Sequence, residues 1–151
     1  MGINKLEITG LFPGRMRRML EDISLDFDQL EEVRLRCGQP VLLRVCGREM
    51  GIDENGKLVD LCEGLFKQDK WKKLENINEK ELKDTLEIMG GFSLYAAEEE
   101  LRQGFFTVRG GHRIGVAGRV ILKDQKIMGI KSAAFLNLRV AHEIKGCADK
   151  V

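Results

Sequence analysis

The stretch Gly51 to Leu58, GIDENGKL, meets the first seven positions of G-x-x-x-x-G-K-[ST], a loop whose backbone amides and lysine cradle nucleotide phosphates. That chemistry also needs Ser or Thr after the lysine to hold magnesium, and Leu58 stands there instead. Asp53 and Glu54 occupy two variable positions, where their carboxylates repel a polyphosphate. Asn55-Gly56 is a strong turn signal, and the flanking REMGI and KLVDL read as paired strands. The expectation is a hairpin tip, and a chain without a nucleotide-hydrolysis motif of its own.

A second string, IGVAGRVI from Ile114 to Ile121, fits the I-G-x-x-G-x-x-I core of a KH domain, where a loop between two helices clamps a nucleic-acid backbone. Val116 and Ala117 bring no positive charge to that loop, and HRIGVAGRV alternates at period two, as a strand does. A strand is expected, with a KH-like nucleic-acid-binding module as the alternative function. The same segment carries a third constellation. With Gly110-Gly111 as a two-residue turn, Arg109 pairs with His112, Val108 with Arg113 and Phe106 with Gly115. Phe105, Ile114, Val116 and Val120 then face the core. Arg113, Gly115, Ala117 and Arg119 face away, with Phe106 over the bare Gly115. Such a shelf admits an anionic group or a partner's backbone; its competitor is a row of solvated strand arginines.

Cys37, Cys46, Cys62 and Cys147 form no C-x-x-C pair, and neither His112 nor His142 sits at ligand spacing from them. Reduced, mostly buried thiols are expected, and no metal site.

The elements that position these residues follow from periodicity. PGRMRRMLEDI places Met16, Leu20 and Ile23 on one helical face, with Pro13 in the first turn. LEEVRLRC alternates, setting Val33, Leu35 and Cys37 against Arg34 and Arg36. VLLRV resumes after Gly38-Gln39-Pro40 and runs to a turn at Cys46-Gly47. Residues 51–73 read as loop with one short helix. NEKELKDTLEIMGG has a capping box of Asn78 and Glu81, a stripe of Leu82, Leu86 and Met89, and a Gly90-Gly91 stop. SLYAAEEELRQG reads as a further helix, and KIMGI and FLNLRVAHEI as strands. The order helix, strands, helices, strands predicts an α+β fold with a largely antiparallel sheet and helices packed on one side.

At 151 residues, 43% hydrophobic and 32% charged, the chain fits one ordinary soluble domain. The balance of 25 basic against 24 acidic residues excludes a globally basic nucleic-acid or membrane binder, so any basic site is local. No segment has signal-peptide or membrane-spanning character, and a cytoplasmic location is expected.

YAAEEELRQGFFTVRGGHRIGVAGRVILKDQKIMGIKSAAFLNLRVAHEIKGCADKV resembles the stage III sporulation protein AA family of endospore-forming bacteria, and LEEVRLRCGQPVLLRV is similar to the same family. The run E-E-x-L-R-x-G followed by G-G-H-R-I-G-x-A-G-R carries the likeness, which extends from about Leu30 onward. The resemblance implies kinship with secretion and pilus-retraction ATPases. Residues 1–151 then correspond to a single PAS-like N-terminal domain, joined near GCADKV to a RecA-like ATPase core that this chain lacks. It implies no catalytic or cofactor-binding residues here, with ATP and Mg held by the C-terminal domain. The implied partners are neighbouring subunits of a homo-oligomeric ring, usually a hexamer, and other proteins of the mother cell–forespore channel, with no nucleic acid. The implied place is the mother-cell cytoplasm, peripheral to the membrane through those partners. Carried over by position, Arg113 and Arg119, with Arg139 as a third, are the candidates for inter-subunit or in-trans nucleotide contact.

Overall fold

The computed structural model describes residues 5–61, 72–89, 105–117, 120–123, 126–130 and 135–142. Its sheet grows around β1, Leu30–Arg36, where alternation from Val33 onward leaves Val33 and Leu35 buried and Arg36 exposed, after a register shift between Leu30 and Glu32. β2 (Leu42–Val45) follows on one side, then β3 (Arg48–Ile52) and β4 (Leu58–Asp60). On the other side lie β9 (Phe135–Arg139), β6 (Arg113–Ala117) and β5 (Phe105–Thr107). The seven strands run β4-β3-β2-β1-β9-β6-β5, with every neighbour antiparallel. β7 (Val120–Lys123) and β8 (Lys126–Ile130) form a separate two-stranded hairpin beside α3.

One face of the sheet supplies Val33, Leu35, Leu43, Ile114, Leu136 and Leu138 to the core. Ile8 of α1 (Lys5–Thr9), Met16 and Leu20 of α2 (Gly14–Asp22), and Leu82, Leu86 and Met89 of α3 (Glu79–Met89) join them. Each such burial is worth about 1.5–3 kcal/mol, well above a surface ion pair, so this one-sided packing decides which strand face is left to solvent. The fold is α+β, as the periodicity requires. The α3 capping box forms: the Asn78 N–H donates to Glu81 Oε1 at 3.1 Å, and the Glu81 N–H to Asn78 Oδ1 at 2.8 Å. Arg15 of α2 then donates to both Glu81 oxygens, at 3.0 and 2.8 Å, and to Glu75 at 2.6 Å, tying the two helices. Burial pushes the Glu81 carboxyl up, but Arg15 and the Asn78 amide outweigh it and hold it low.

The nucleotide-loop look-alike is a hairpin tip. Asp53 Oδ1 accepts from the Asn55 and Lys57 amides, both at 2.9 Å, and Gly56 supplies a φ of 77°. No strand–loop–helix is present there. The turn at Cys46-Gly47 has φ of 50° and 74°, the left-handed pair that matches strand twist in a tight hairpin.

Several expectations are corrected. The Gly110-Gly111 turn exists, but its loop holds three residues: the Val108 N–H donates to the His112 carbonyl at 2.9 Å, and Phe105 faces Gly115 across the ladder. A one-residue slip reverses a strand's faces, so Phe106 is buried and Phe105 is 42% exposed. The run Ile114 to Ile121 is extended on both sides of residues 118–119, with β6 in the large sheet and β7 in the separate hairpin. Strands where a KH core needs two helices remove the structural basis of that alternative. Cys37 is half-buried and Cys46 exposed, so the described thiols are not core residues. The short helix α1 was not expected; at five residues it is too short to be stable alone and is held by burial of Ile8 and Thr9. The predicted helix SLYAAEEELRQG, the Gly90-Gly91 stop, Cys62, Cys147 and GCADKV lie outside the described residues.

Candidate functional site

The sheet face turned away from the core is built by alternate residues of its strands. On β1, Glu32, Arg34 and Arg36 point there because Val33 and Leu35 point into the core. Register then places their neighbours: Arg44 and Arg139 flank Glu32, Leu42 and Asn137 flank Arg34, and Phe135 stands opposite Arg36. Further out, Arg113 lies opposite Arg139 and Gly115 opposite Asn137.

Several of these charges neutralise one another. Arg34 donates from Nε to Glu32 Oε1 at 3.2 Å and lies 3.6 Å from Glu49, which raises its already high pKa chiefly through the Glu32 hydrogen bond. Arg44 meets Glu31 at 3.4 Å, and Arg48 meets Asp60 at 2.8 Å. The remaining arginines are held differently. The Arg36 guanidinium lies 5.6 Å from the Phe135 ring centre, and that of Arg113 lies 5.1 Å from the ring of Phe105. Among the described residues, Arg36, Arg113 and Arg139 have no carboxylate partner within ion-pair distance, and all three are exposed. An arginine stacked on a ring keeps its N–H edge available for a carboxylate or phosphate.

A groove of about 420 Å³ lies on this face, its lining including Arg34, Arg36, Arg139, Phe135, Glu32 and Glu49. Among the described residues, its lining holds no Ser, Thr, Cys, His, Lys or Tyr. The arrangement can hold an anion.

The structure therefore brings together two of the arginines expected from sequence, Arg113 and Arg139, as direct cross-strand neighbours. Arg119 lies outside the described residues. Sequence reasoning missed Arg36 and its ring partner Phe135. The alternation in EEVRLRC already put Arg36 on the solvent face, but only the β1–β9 pairing shows what stands beside it.

His112, read only as a failed metal ligand, has a structural place. Its ring is 2% exposed, and Nδ1 accepts from the Ala141 N–H at 3.0 Å, so the neutral ring carries its proton on Nε2. Nε2 is buried without a hydrogen-bond partner, 4.0 Å from a Glu7 carboxylate oxygen. Burial lowers the His112 pKa; Glu7 opposes this and His142 adds to it.

The model of the family described as sporulation stage III, protein AA, matches residues 3–151. A protein of Bacillus subtilis (strain 168) named stage III sporulation protein AA is 31% identical over 144 residues. The match covers 95% of this chain and 40% of that relative, so the chain spans well under half the relative's length. No solved structure matches. Among the described residues, no helix is long and apolar enough to cross a membrane.

Proposed function

The chain belongs to the sporulation stage III protein AA family, and from that premise we propose that it is the non-catalytic assembly and regulatory domain of a secretion-type sporulation ATPase. In this reading a C-terminal part binds ATP and Mg. Subunits form a ring, the present residues make a PAS-like module at the cytoplasmic side of the mother-cell membrane, and the assembly powers or builds the channel to the forespore. Arg113 and Arg139, with Arg119 as the third candidate, act as charge-assisted donors to a neighbouring subunit or its nucleotide.

The observation that supports this reading is the pairing of Arg113 directly with Arg139. Like charges directly opposite one another weaken a sheet. The nearest described carboxylate across the ladder, Glu32, is already engaged by Arg34. Two exposed arginines at directly paired positions make physical sense if an anion completes them from outside.

The test is the double change Arg113→Ala and Arg139→Ala. In the 151-residue chain it should leave thermal stability within about 0.5 kcal/mol of the parent. In the full-length protein it should reduce ring assembly by sedimentation, or ATP turnover, since an in-trans arginine contributes powers of ten to phosphoryl transfer. A full-length variant that assembles and turns over normally rejects the reading.

A further inference from the structure

We infer that the groove on the solvent face of the sheet receives an extended, acidic segment of a partner protein, with carboxylates seated at Arg36 and at the Arg113–Arg139 pair. The inference rests on the open face being an interaction surface, as proposed above, and adds the chemistry of its ligand.

Three features carry it. The first is the placement of unneutralised charge. Arg139 stands opposite Glu32 and Arg36 opposite Phe135, so the two arginine positions lie four residues apart along β9 register, about 13 Å. An extended segment with acidic residues at positions i and i+4 spans that distance on one of its own faces. The second is preorganisation. Phe135 fixes Arg36 and Phe105 fixes Arg113, so each guanidinium is placed with little further loss of side-chain freedom. Beside the groove on β6, opposite Asn137 and Phe135, Gly115 and Ala117 carry little or no side chain, which lets a backbone come close there.

The third feature selects protein over nucleic acid. Phenylalanines on an open sheet face are stacking platforms for bases, but here an arginine guanidinium already lies over one face of each ring. Glu32 and Glu49 also line the groove, where they repel a phosphate backbone carrying a charge at every residue. Spaced carboxylates can avoid both. Glu32 and Glu49 are held by Arg34, so they do not occupy the outer arginines themselves.

The experiment measures fluorescence anisotropy of the peptide fluorescein-GESTSEG-amide titrated with the 151-residue chain, without nucleotide. Its neutral counterpart fluorescein-GQSTSQG-amide and a labelled oligothymidylate serve as competitors of other chemistry. The acidic peptide should bind about tenfold or more tightly than the neutral one, and Arg36→Gln with Arg139→Gln should abolish that preference. Arg18→Gln, an exposed arginine on α2, should leave it unchanged. Amide shifts of the bound chain should map to Arg36, Arg113, Asn137 and Arg139. Equal affinity for the two peptides, tighter binding of the oligothymidylate, or an unaltered preference in the Arg36→Gln, Arg139→Gln chain overturns the inference. Because no nucleotide is present, that result is separable from a failure of ring assembly or turnover.

Discussion

At the scale of single residues, position and neighbours decide what an ionisable group does. Three arginines of the solvent face are alike in charge, yet Arg34 is spent on Glu32 and Glu49 while Arg36 and Arg113 lie on phenyl rings. His112 shows the complementary case of a group forced to stay neutral. Its folded pKa is depressed by burial, so below about 6.5 the unfolded chain binds a proton that the native chain resists. The stability His112 confers is therefore complete above that pH and is lost as pH falls toward the folded value. Protonating Nδ1 also sets two donors against each other at the Ala141 amide. His112→Asn keeps an acceptor near that amide but does not titrate. Between pH 7.5 and 5.5 the parent chain should lose more stability in urea unfolding than this variant. Parallel stability curves would refute the assignment.

At the scale of elements, the hairpin from β3 to β4 illustrates how a motif changes meaning with context. Gly51, the first glycine of the apparent phosphate loop, sits inside β3, and its missing side chain makes room for the side chain of Leu74. A Cβ there would lie 2.7 Å from Leu74 Cδ2 and 2.9 Å from Cδ1. Leu74 is bridged to Asp53, and the Glu75 amide donates to the Ile52 carbonyl at 2.7 Å, so the crossing backbone has little room to retreat. Gly51→Val should therefore destabilise the chain by about 1–3 kcal/mol, as overpacked sites do. Adding Leu74→Ala should recover part of that loss, because the two changes share one volume. Additive losses in a chemical-denaturation cycle would show that Leu74 is not the obstacle.

At the scale of the whole molecule, a one-sided core leaves a broad face of the sheet for recognition, and family membership gives that face a setting. The domain reading predicts that the 151-residue chain neither binds ATP tightly nor hydrolyses it. Its one G-x-x-x-x-G-K string ends in Leu58 and forms a turn whose amides are taken by Asp53. Calorimetry with Mg-ATP and a phosphate-release assay check this. Magnesium-dependent turnover above that of heat-treated protein would contradict it.

Much of this was legible before the chain folded. Alternation in LEEVRLRC, the Asn78–Glu81 box, and the turn signals at Cys46-Gly47 and Asn55-Gly56 depend on local backbone geometry, which the sequence carries directly. The family was legible too, from the long glycine- and arginine-rich run. The β5 register was not, because two adjacent glycines permit either a two- or a three-residue loop and packing of Phe106 chooses between them. Nor was the placement of β6 and β7 in different sheets, since a period-two pattern is the same whether it runs through one sheet or two. The site depended most on tertiary structure. Arg36, Phe135, Arg139 and Arg113 come from β1, β9 and β6, and no spacing along the chain encodes that β9 inserts between β1 and β6. Sequence determined which face each side chain takes; long-range strand pairing, driven by burial of the common core, decided which charges meet.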